Sequence, residues 1–160
     1  MPVILLVSFM VSFQGINQNI PDVKNKISSV IKNSIEWAIN QDLKLLYSSI
    51  AQDSALFIFN PDSAGTIEGF DAFRKMTEDV FMNDAFKATG SVFRDLRIYL
   101  SESATVAWFS CFLDDFGEWN GQPIGWINTR WTGVLEKREA GWVIVQMHFS
   151  FPSDRKSLKD

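Results

Sequence analysis

The sequence predicts an α+β fold in which helices of the first half cover one face of an antiparallel sheet formed by the second half. Three observations support this prediction. Apolar residues recur at helical spacing from Val23 to Ile39, alternate with polar residues from Phe86 to Leu113, and form a β-hairpin pattern from Trp126 to Pro152. The length of 160 residues is that of one domain, which can bury a core without disulfides.

The first two helices are predicted from apolar periodicity and from their start signals. Pro21 and Asp22 mark a helix start, and the apolar positions of this helix are Ile27, Val30, Ile31, Ile35, Ala38 and Ile39. Trp37 lies near the edge of the apolar stripe, where it can close a cavity. Asp42 follows a polar break and is placed to cap a shorter second helix that runs through Tyr47.

A short strand, a third helix and two long strands follow. Residues 55–59 (ALFIF) are an apolar run between polar residues, which predicts a buried strand. Residues 67–81 enter a third helix, whose predicted buried face carries Phe70, Phe73, Met76, Thr77, Val80 and Phe81. Residues 86–100 and 104–113 predict two strands joined by a tight turn, and the polar segment 114–122 predicts a hairpin loop.

The closing hairpin carries apolar residues on both faces. Strict alternation places Val143, Val145, Met147, Phe149 and Phe151 on one face of the last strand and Trp142, Ile144, Gln146, His148 and Ser150 on the other. The first set is predicted to face the core. Because Trp142 and Ile144 would be unfavourable in water, we expect the second face to be covered, with helices on one side of the sheet and a second subunit or a loop on the other.

Composition excludes several kinds of partner and site. The 15 basic and 19 acidic residues give a formal charge of −4 without a Lys or Arg cluster, which argues against a nucleic-acid partner. Cys111 is the only cysteine and His148 the only histidine, so a disulfide within the chain and a thiolate or multi-histidine metal site are excluded. No glycine-rich phosphate loop is present, and no cofactor is predicted. The six Trp and fourteen Phe predict that some aromatic side chains line a cavity or an interface.

The first fifteen residues, MPVILLVSFMVSFQG, contain an apolar run of the length of a signal-peptide core. This run is too short to span a bilayer, and no stable membrane span is predicted. The basic residues that open a signal peptide are missing, and no cleavage motif follows. Export to the periplasm or beyond and a cytoplasmic extension that packs on the domain are both open, and the signal-like pattern favours export.

Two segments resemble a known family. The resemblance is carried by residues 135–150 (LEKREAGWVIVQMHFS), by the entry to the third helix at residues 67–73 (IEGFDAF), by Asp42 after the long helix and by the order of elements. In these features the chain resembles the nuclear transport factor 2-like superfamily in its SnoaL-like branch. The closing hairpin is also similar to that of the association domain of calcium/calmodulin-dependent protein kinases. The resemblance divides the chain into an apolar or signal-like extension at 1–20, a SnoaL-like domain at 21–152 and a polar tail at 153–160.

This resemblance implies a cone-shaped, strongly curved antiparallel sheet wrapped around three N-terminal helices, which is a cystatin-like fold with a pocket at the wide end of the cone. It also implies a homodimer that forms through the outer face of the sheet. The residues predicted at that interface are Arg130, Trp142, Gln146 and His148. The fold hosts many activities and does not by itself specify one.

Candidate site residues follow from the pocket that the resemblance implies. The arginine positions of the kinase association domain align with Ser110, Gly133 and Phe149, so we expect a small apolar ligand rather than an anion. Asp114 is a candidate base, with a solvated loop carboxylate as the alternative, and Tyr47 is a candidate donor to a ligand carbonyl. The residues predicted to contact the ligand are Trp37, Phe59, Phe73, Trp108, Ser110, Phe112, Trp131, Met147 and Phe149.

Three functions remain open on the sequence. The first is a dimeric binding domain for a small, mostly apolar molecule, because aromatic residues are abundant and convergent polar groups are few. The second is an enzyme of the isomerase, cyclase or dehydratase kind that uses a pocket carboxylate as a base. The third is a non-catalytic assembly module whose pocket is filled by its own side chains.

Overall fold

A computed structural model describes residues 19–62 and 65–152. The apolar N-terminal segment and the polar tail lie outside the described residues, so the predictions made for them are not addressed by the structure. Within the described ranges, no helix combines the length and apolar character needed to cross a membrane.

The helices begin and end close to the predicted positions. They are α1 (Ile20–Asn40), α2 (Leu43–Ser49) and α3 (Gly69–Met76), and α3 continues into a π-helical turn (Thr77–Phe81). The predicted cap of α2 is confirmed, because an Asp42 carboxylate oxygen accepts a hydrogen bond of 3.0 Å from the Leu45 backbone N–H. The buried stripe of α1 contains Val23, Ile27, Ile31, Ser34 and Trp37, so Trp37 lies on the buried face rather than at its edge.

Six strands form one sheet whose spatial order is β2-β1-β6-β5-β4-β3. They are β1 (Phe57–Phe59), β2 (Thr66–Glu68), β3 (Phe86–Leu100), β4 (Val106–Trp119), β5 (Gln122–Arg138) and β6 (Gly141–Ser150). Neighbouring strands pair antiparallel except β1 and β6, which pair in parallel. The predicted α+β architecture is therefore confirmed, with one short strand, β2, that apolar patterning did not reveal.

Irregular pairing bends the long strands around the helices. Register shifts occur twice between β3 and β4, once between β4 and β5 and once between β5 and β6. Asp95 and Asn128, at two of these shifts, have left-handed backbone conformations with φ of 53° and 56°. Bulges of this kind increase strand twist and bend the sheet, so they produce the predicted curvature and create an inner face towards the helices and an outer face away from them.

One of these bulges corrects the predicted faces of β6. Val134 pairs with Gln146 and the next residue of β5 pairs with Ile144, which leaves Val145 as an extra residue on β6. An extra residue inverts the alternation on one side of the bulge. Trp142 is therefore only 6% exposed and belongs to the core with the fully buried Ile144. The prediction that Trp142 lies on the outer face was wrong.

The segment predicted as a polar loop at residues 114–122 is also corrected. Both strands continue through it and meet at a two-residue turn, Asn120-Gly121, whose residues have φ of 50° and 74°. Asn-Gly in a two-residue hairpin turn matches the twist of the strands because both positions tolerate positive φ. The result extends β4 to Trp119, so its alternation continues past Leu113.

Candidate functional site

A cavity of about 410 Å³ lies between the helices and the end of the sheet that carries the β4–β5 turn. Its walls come from the C-terminal end of α1, from α3 and the π-helical turn, and from parts of all six strands. The aromatic residues that line it are Trp37, Phe73, Phe81, Phe86, Phe116, Trp119, Trp126 and Phe149. A volume of this size falls in the range of ordinary ligand pockets, about 300–1,000 Å³.

Edge-to-face aromatic contacts build the helical wall of the cavity. The ring centroids of Trp37 and Phe81 lie 5.9 Å apart, and those of Phe81 and Phe86 lie 5.1 Å apart. In both pairs the ring planes are nearly perpendicular. Gln41 fixes the backbone at this point, because its side-chain amide donates a 3.1 Å hydrogen bond to the carbonyl oxygen of Phe81. Such ring geometry is favourable beyond the burial of area, so these contacts stabilise the wall where the helices meet the start of β3.

A second aromatic cluster builds the sheet wall. The Trp126 and Phe149 rings lie 5.4 Å apart, and Phe149 stacks on Trp131 at 5.4 Å with an interplanar angle of 13°. Phe109 meets Trp131 edge-on at 4.9 Å. Trp131 is fully buried beneath this wall and supports Phe149, whereas Phe149 itself reaches the cavity. Trp131 was predicted to contact the ligand, and the structure does not place it on the cavity wall.

Asp115 supplies the only ionisable side chain among the described residues that line the cavity. It lies on the inner face of β4, two residues after the buried Leu113, and its cross-strand neighbours are Ser91 on β3 and Trp126 on β5. Burial among apolar groups raises the pKa of Asp115 from 3.8 to about 6, and the backbone N–H of Phe116 offsets only part of this rise.

No side chain in the described ranges forms a salt bridge or a hydrogen bond with the Asp115 carboxylate. The other polar side chains on the cavity wall are Ser34 and Asn60. The Ser34 hydroxyl already donates a 2.8 Å hydrogen bond to the Ile31 carbonyl oxygen within α1. Asp115 is therefore a carboxylate whose charge no cation in the described part of the chain compensates, which is costly in an apolar setting and common at functional sites.

The structure places the candidate base predicted from the sequence, Asp114, outside the cavity. Asp114 lies on the outer face of β4, where it accepts a 2.8 Å hydrogen bond from Arg94 and a 2.6 Å hydrogen bond from the Asn128 backbone N–H. Asp114 shares a face of β4 with Trp108 and Ser110, as predicted, but the prediction that this face lines the pocket was wrong. Alternation along β4 places Asp115 in the pocket instead.

The structure places four of the nine predicted ligand contacts on the cavity wall and the other five elsewhere. Four of them line the cavity, namely Trp37, Phe73, Met147 and Phe149. Trp108, Ser110 and Phe112 lie on the outer face of β4 and do not, which follows from the same misassigned face. Phe59 is 47% exposed next to His148 on the outer side, because its neighbour Ile58 is the residue of β1 that points inwards.

Tyr47 does not reach the cavity. It lies on α2 and packs edge-on against Phe70 with ring centroids 5.2 Å apart. Its hydroxyl is buried and has no hydrogen-bond partner among the described residues, and desolvation raises the pKa of Tyr47 above its usual value. The prediction that Tyr47 donates to a ligand in this pocket is therefore not supported by its position.

Aromatic and polar groups share the outer face of the sheet. Trp108 is 46% exposed and stacks on Tyr99 at 5.9 Å. Three of the four residues predicted at an interface belong to this face, namely Arg130, Gln146 and His148. Large apolar groups are therefore exposed on a face that the sequence predicts to be covered.

A profile of the SnoaL-like domain matches residues 27–154. The chain belongs to the SnoaL-like domain family. A comparison with curated protein sequences found no match. Among solved structures, this SnoaL-like domain is similar to a nuclear transport factor 2-like superfamily protein from Salmonella enterica, with 18% identity over 88% of this chain and 99% of that chain and a TM-score of 0.70.

Two further structures show the same fold. A candidate dehydratase of the nuclear transport factor 2-like family from Streptomyces avermitilis is 14% identical over 83% of this chain and 99% of that chain, with a TM-score of 0.67. The association domain of CaMKII from C. elegans is 16% identical over 82% of this chain and 97% of that chain, with a TM-score of 0.61. Both predicted resemblances, to the SnoaL-like branch and to the kinase association domain, are confirmed at the level of the fold.

The chemistry available in this pocket of the SnoaL-like domain depends on the Asp115 carboxyl group. An ionised Asp115 can hold a cation or remove a proton, and the protonated form can donate a hydrogen bond. The described residues contain no group of three or more side chains arranged to hold a metal ion. The arrangement therefore offers one carboxyl group within an aromatic enclosure.

Proposed function

We propose that this SnoaL-like domain is a dimeric binding protein for a small, mostly apolar molecule. The supporting observation is the cavity of about 410 Å³, with aromatic walls and one convergent carboxylate. A cavity of about 150 Å³ accommodates benzene, so the available space suits a molecule of about two to three rings. The volume argues against the assembly-module alternative, in which side chains of the protein fill the pocket.

The dimer is proposed through the outer face of the sheet. Trp108 and Tyr99 are each about half exposed there, with 46% and 50% of their surface accessible in the single chain. His148 and Arg130 lie on the same face and provide polar groups around this apolar centre. An apolar centre with a polar rim is the usual anatomy of a protein interface, and the partner is a second copy of the chain.

Native mass spectrometry of the freshly purified full-length protein tests both parts of this proposal. A dimer that carries extra mass, lost on denaturation, supports a binding function and gives the size of the occupant. If the dimer has only the mass of two chains, the protein is screened against apolar probes of two to three rings. Failure of every such probe to bind would overturn the binding role. A monomer at micromolar concentration would refute the dimer.

A second candidate function is an isomerase, cyclase or dehydratase that uses Asp115 as its base. The observation that favours it is the position of Asp115 on the cavity wall, where burial raises its pKa to about 6 and brings proton transfer within reach of neutral pH. Abstraction of a proton beside a carbonyl group also needs a donor for the developing oxyanion, and the cavity wall offers the Asn60 side-chain amide, which has no hydrogen-bond partner among the described residues.

The enzymatic candidate is tested with Asp115→Asn, with Asp114→Asn as a matched control on the outer face. A base-dependent reaction loses about 10²–10⁴-fold in rate in the first variant and is unchanged in the second. Turnover that survives Asp115→Asn would eliminate Asp115 as the base.

A further inference from the structure

We propose that the ligand of this cavity is a small apolar cation, namely an aromatic or alkyl ammonium whose positive charge lies beside the Asp115 carboxylate. This inference rests on the proposed binding function and assigns the chemical class of its ligand. The charges of the cavity, its aromatic faces and its supply of hydrogen-bond donors each support it independently.

The first argument is the charge of the cavity. Its described lining contains no Lys, Arg or His, and Asp115 is the single ionisable group. The neighbouring carboxylate, Asp114, has Arg94 as its counterion on the other face of the sheet. Asp115 has no such partner among residues 19–62 and 65–152, so a cationic ligand would complete an ion pair that these residues leave open, and an anionic ligand would meet a like charge.

The second argument is the nature of the walls. Three tryptophans, Trp37, Trp119 and Trp126, line the cavity together with phenylalanines from helices and strands. Trp126 is the direct cross-strand neighbour of Asp115. The face of an indole attracts a cation more strongly than any other side-chain ring, and an aromatic enclosure beside a carboxylate is a favourable environment for an ammonium group.

The third argument concerns neutral ligands. A ligand that presents a carbonyl or another acceptor needs protein donors, and the cavity is poor in them. The Ser34 hydroxyl donates within its own helix, which leaves the Asn60 amide and indole N–H groups on the described wall. Because the best-placed polar group is an acceptor, a ligand that carries donors or positive charge fits better than one that carries acceptors.

The test uses three probes that share a naphthalene skeleton and differ in charge: 2-(aminomethyl)naphthalene, 2-naphthalenemethanol and 2-naphthoate. Binding to the full-length protein is measured by isothermal titration calorimetry at pH 7.5. We expect the amine to bind at least about tenfold more tightly than the alcohol, and the naphthoate to bind most weakly. Because no other ionisable side chain from the surrounding helices and strands lines the cavity, amine affinity should fall below pH 6 while alcohol affinity stays constant.

Asp115→Asn provides the decisive variant and Asp114→Asn its matched control. The first should lower amine affinity to the level of the alcohol and change alcohol affinity less than about twofold, whereas the second should leave both unchanged. An alcohol that binds as tightly as the amine, or an amine affinity that survives Asp115→Asn, would overturn the cationic assignment while the proposed binding function stands. Failure of all three probes to bind would overturn the binding function itself.

Discussion

Replacing Asp115 with Asn should make the ligand-free protein more stable at neutral pH. Burial raises the pKa of this carboxyl from 3.8 to about 6, which means that the folded chain disfavours the ionised form. A difference of this size between folded and unfolded chains corresponds to about 3 kcal/mol of destabilisation when the group is ionised. Because Asp115 is only partly buried, solvent reduces this cost. We therefore expect the neutral amide to raise the free energy of unfolding by about 1–3 kcal/mol, or Tm by about 3–10 °C.

The pH dependence fixes the sign of this effect. Between pH 3.8 and about 6 the folded chain holds the Asp115 proton more tightly than the unfolded chain does, so the contribution of Asp115 to stability falls as the pH rises through this window. The stabilisation by Asp115→Asn should therefore be complete above pH 6 and disappear near pH 4. Thermal unfolding at pH 4.0 and 7.5, with circular dichroism as the readout, measures both values.

Asp114→Asn is the control for this experiment. It removes the ion pair with Arg94 on the outer face and should give no stabilisation at either pH. A Tm of Asp115→Asn at pH 7.5 that equals or lies below that of the unmodified protein would refute the view of Asp115 as an uncompensated carboxylate. A gain of the same size at both pH values would refute the ionisation as its cause.

Three further outcomes test other parts of the structure. Trp108→Glu should weaken the dimer at least about tenfold in sedimentation experiments, whereas Ile39→Glu, which is equally exposed on α1, should not. Burial raises the pKa of the Cys111 thiol to about 12, so Cys111 should react with a thiol reagent only after denaturation. Labelling of the native protein within minutes would contradict its burial. Gly133→Ala should lower the free energy of unfolding by about 1–3 kcal/mol, because the added Cβ would lie 2.6 Å from a β6 carbonyl oxygen and 2.6 Å from a β4 ring. Gly90→Ala is the control, because its Cβ meets no neighbour within 4 Å, and equal Tm values for the two variants would contradict this packing.

The fold was predictable because its long elements repeat their pattern many times. The periodicity of α1 and the alternation of β3 each contain enough residues to identify the element and its boundaries within a few positions. The alternation of β4 identified the strand but not its end, which lies six residues beyond the predicted one. The short strand β2 has three residues, too few for alternation to be recognised.

The site was predictable only in part because it depends on which face of each strand is buried. Asn120-Gly121 is a strong hairpin signal, and placing the turn there would have extended β4 through Asp115. The bulge at Val145 has no such signal, since no glycine or proline marks it, and its effect on Trp142 could not be found from sequence alternation alone.

The two shortest strands form the part of the cavity wall that should open locally at the lowest free-energy cost. β1 and β2 contribute Ile58 and Ile67 to the lining, yet each ladder that holds them contains three residue pairs, between β1 and β2 and between β1 and β6. Local opening costs less free energy where few hydrogen bonds must break, so the amide protons of this edge should exchange with solvent faster than those of β4 and β5. This edge is therefore the part of the cavity wall that we expect to open first, while the long strands stay paired.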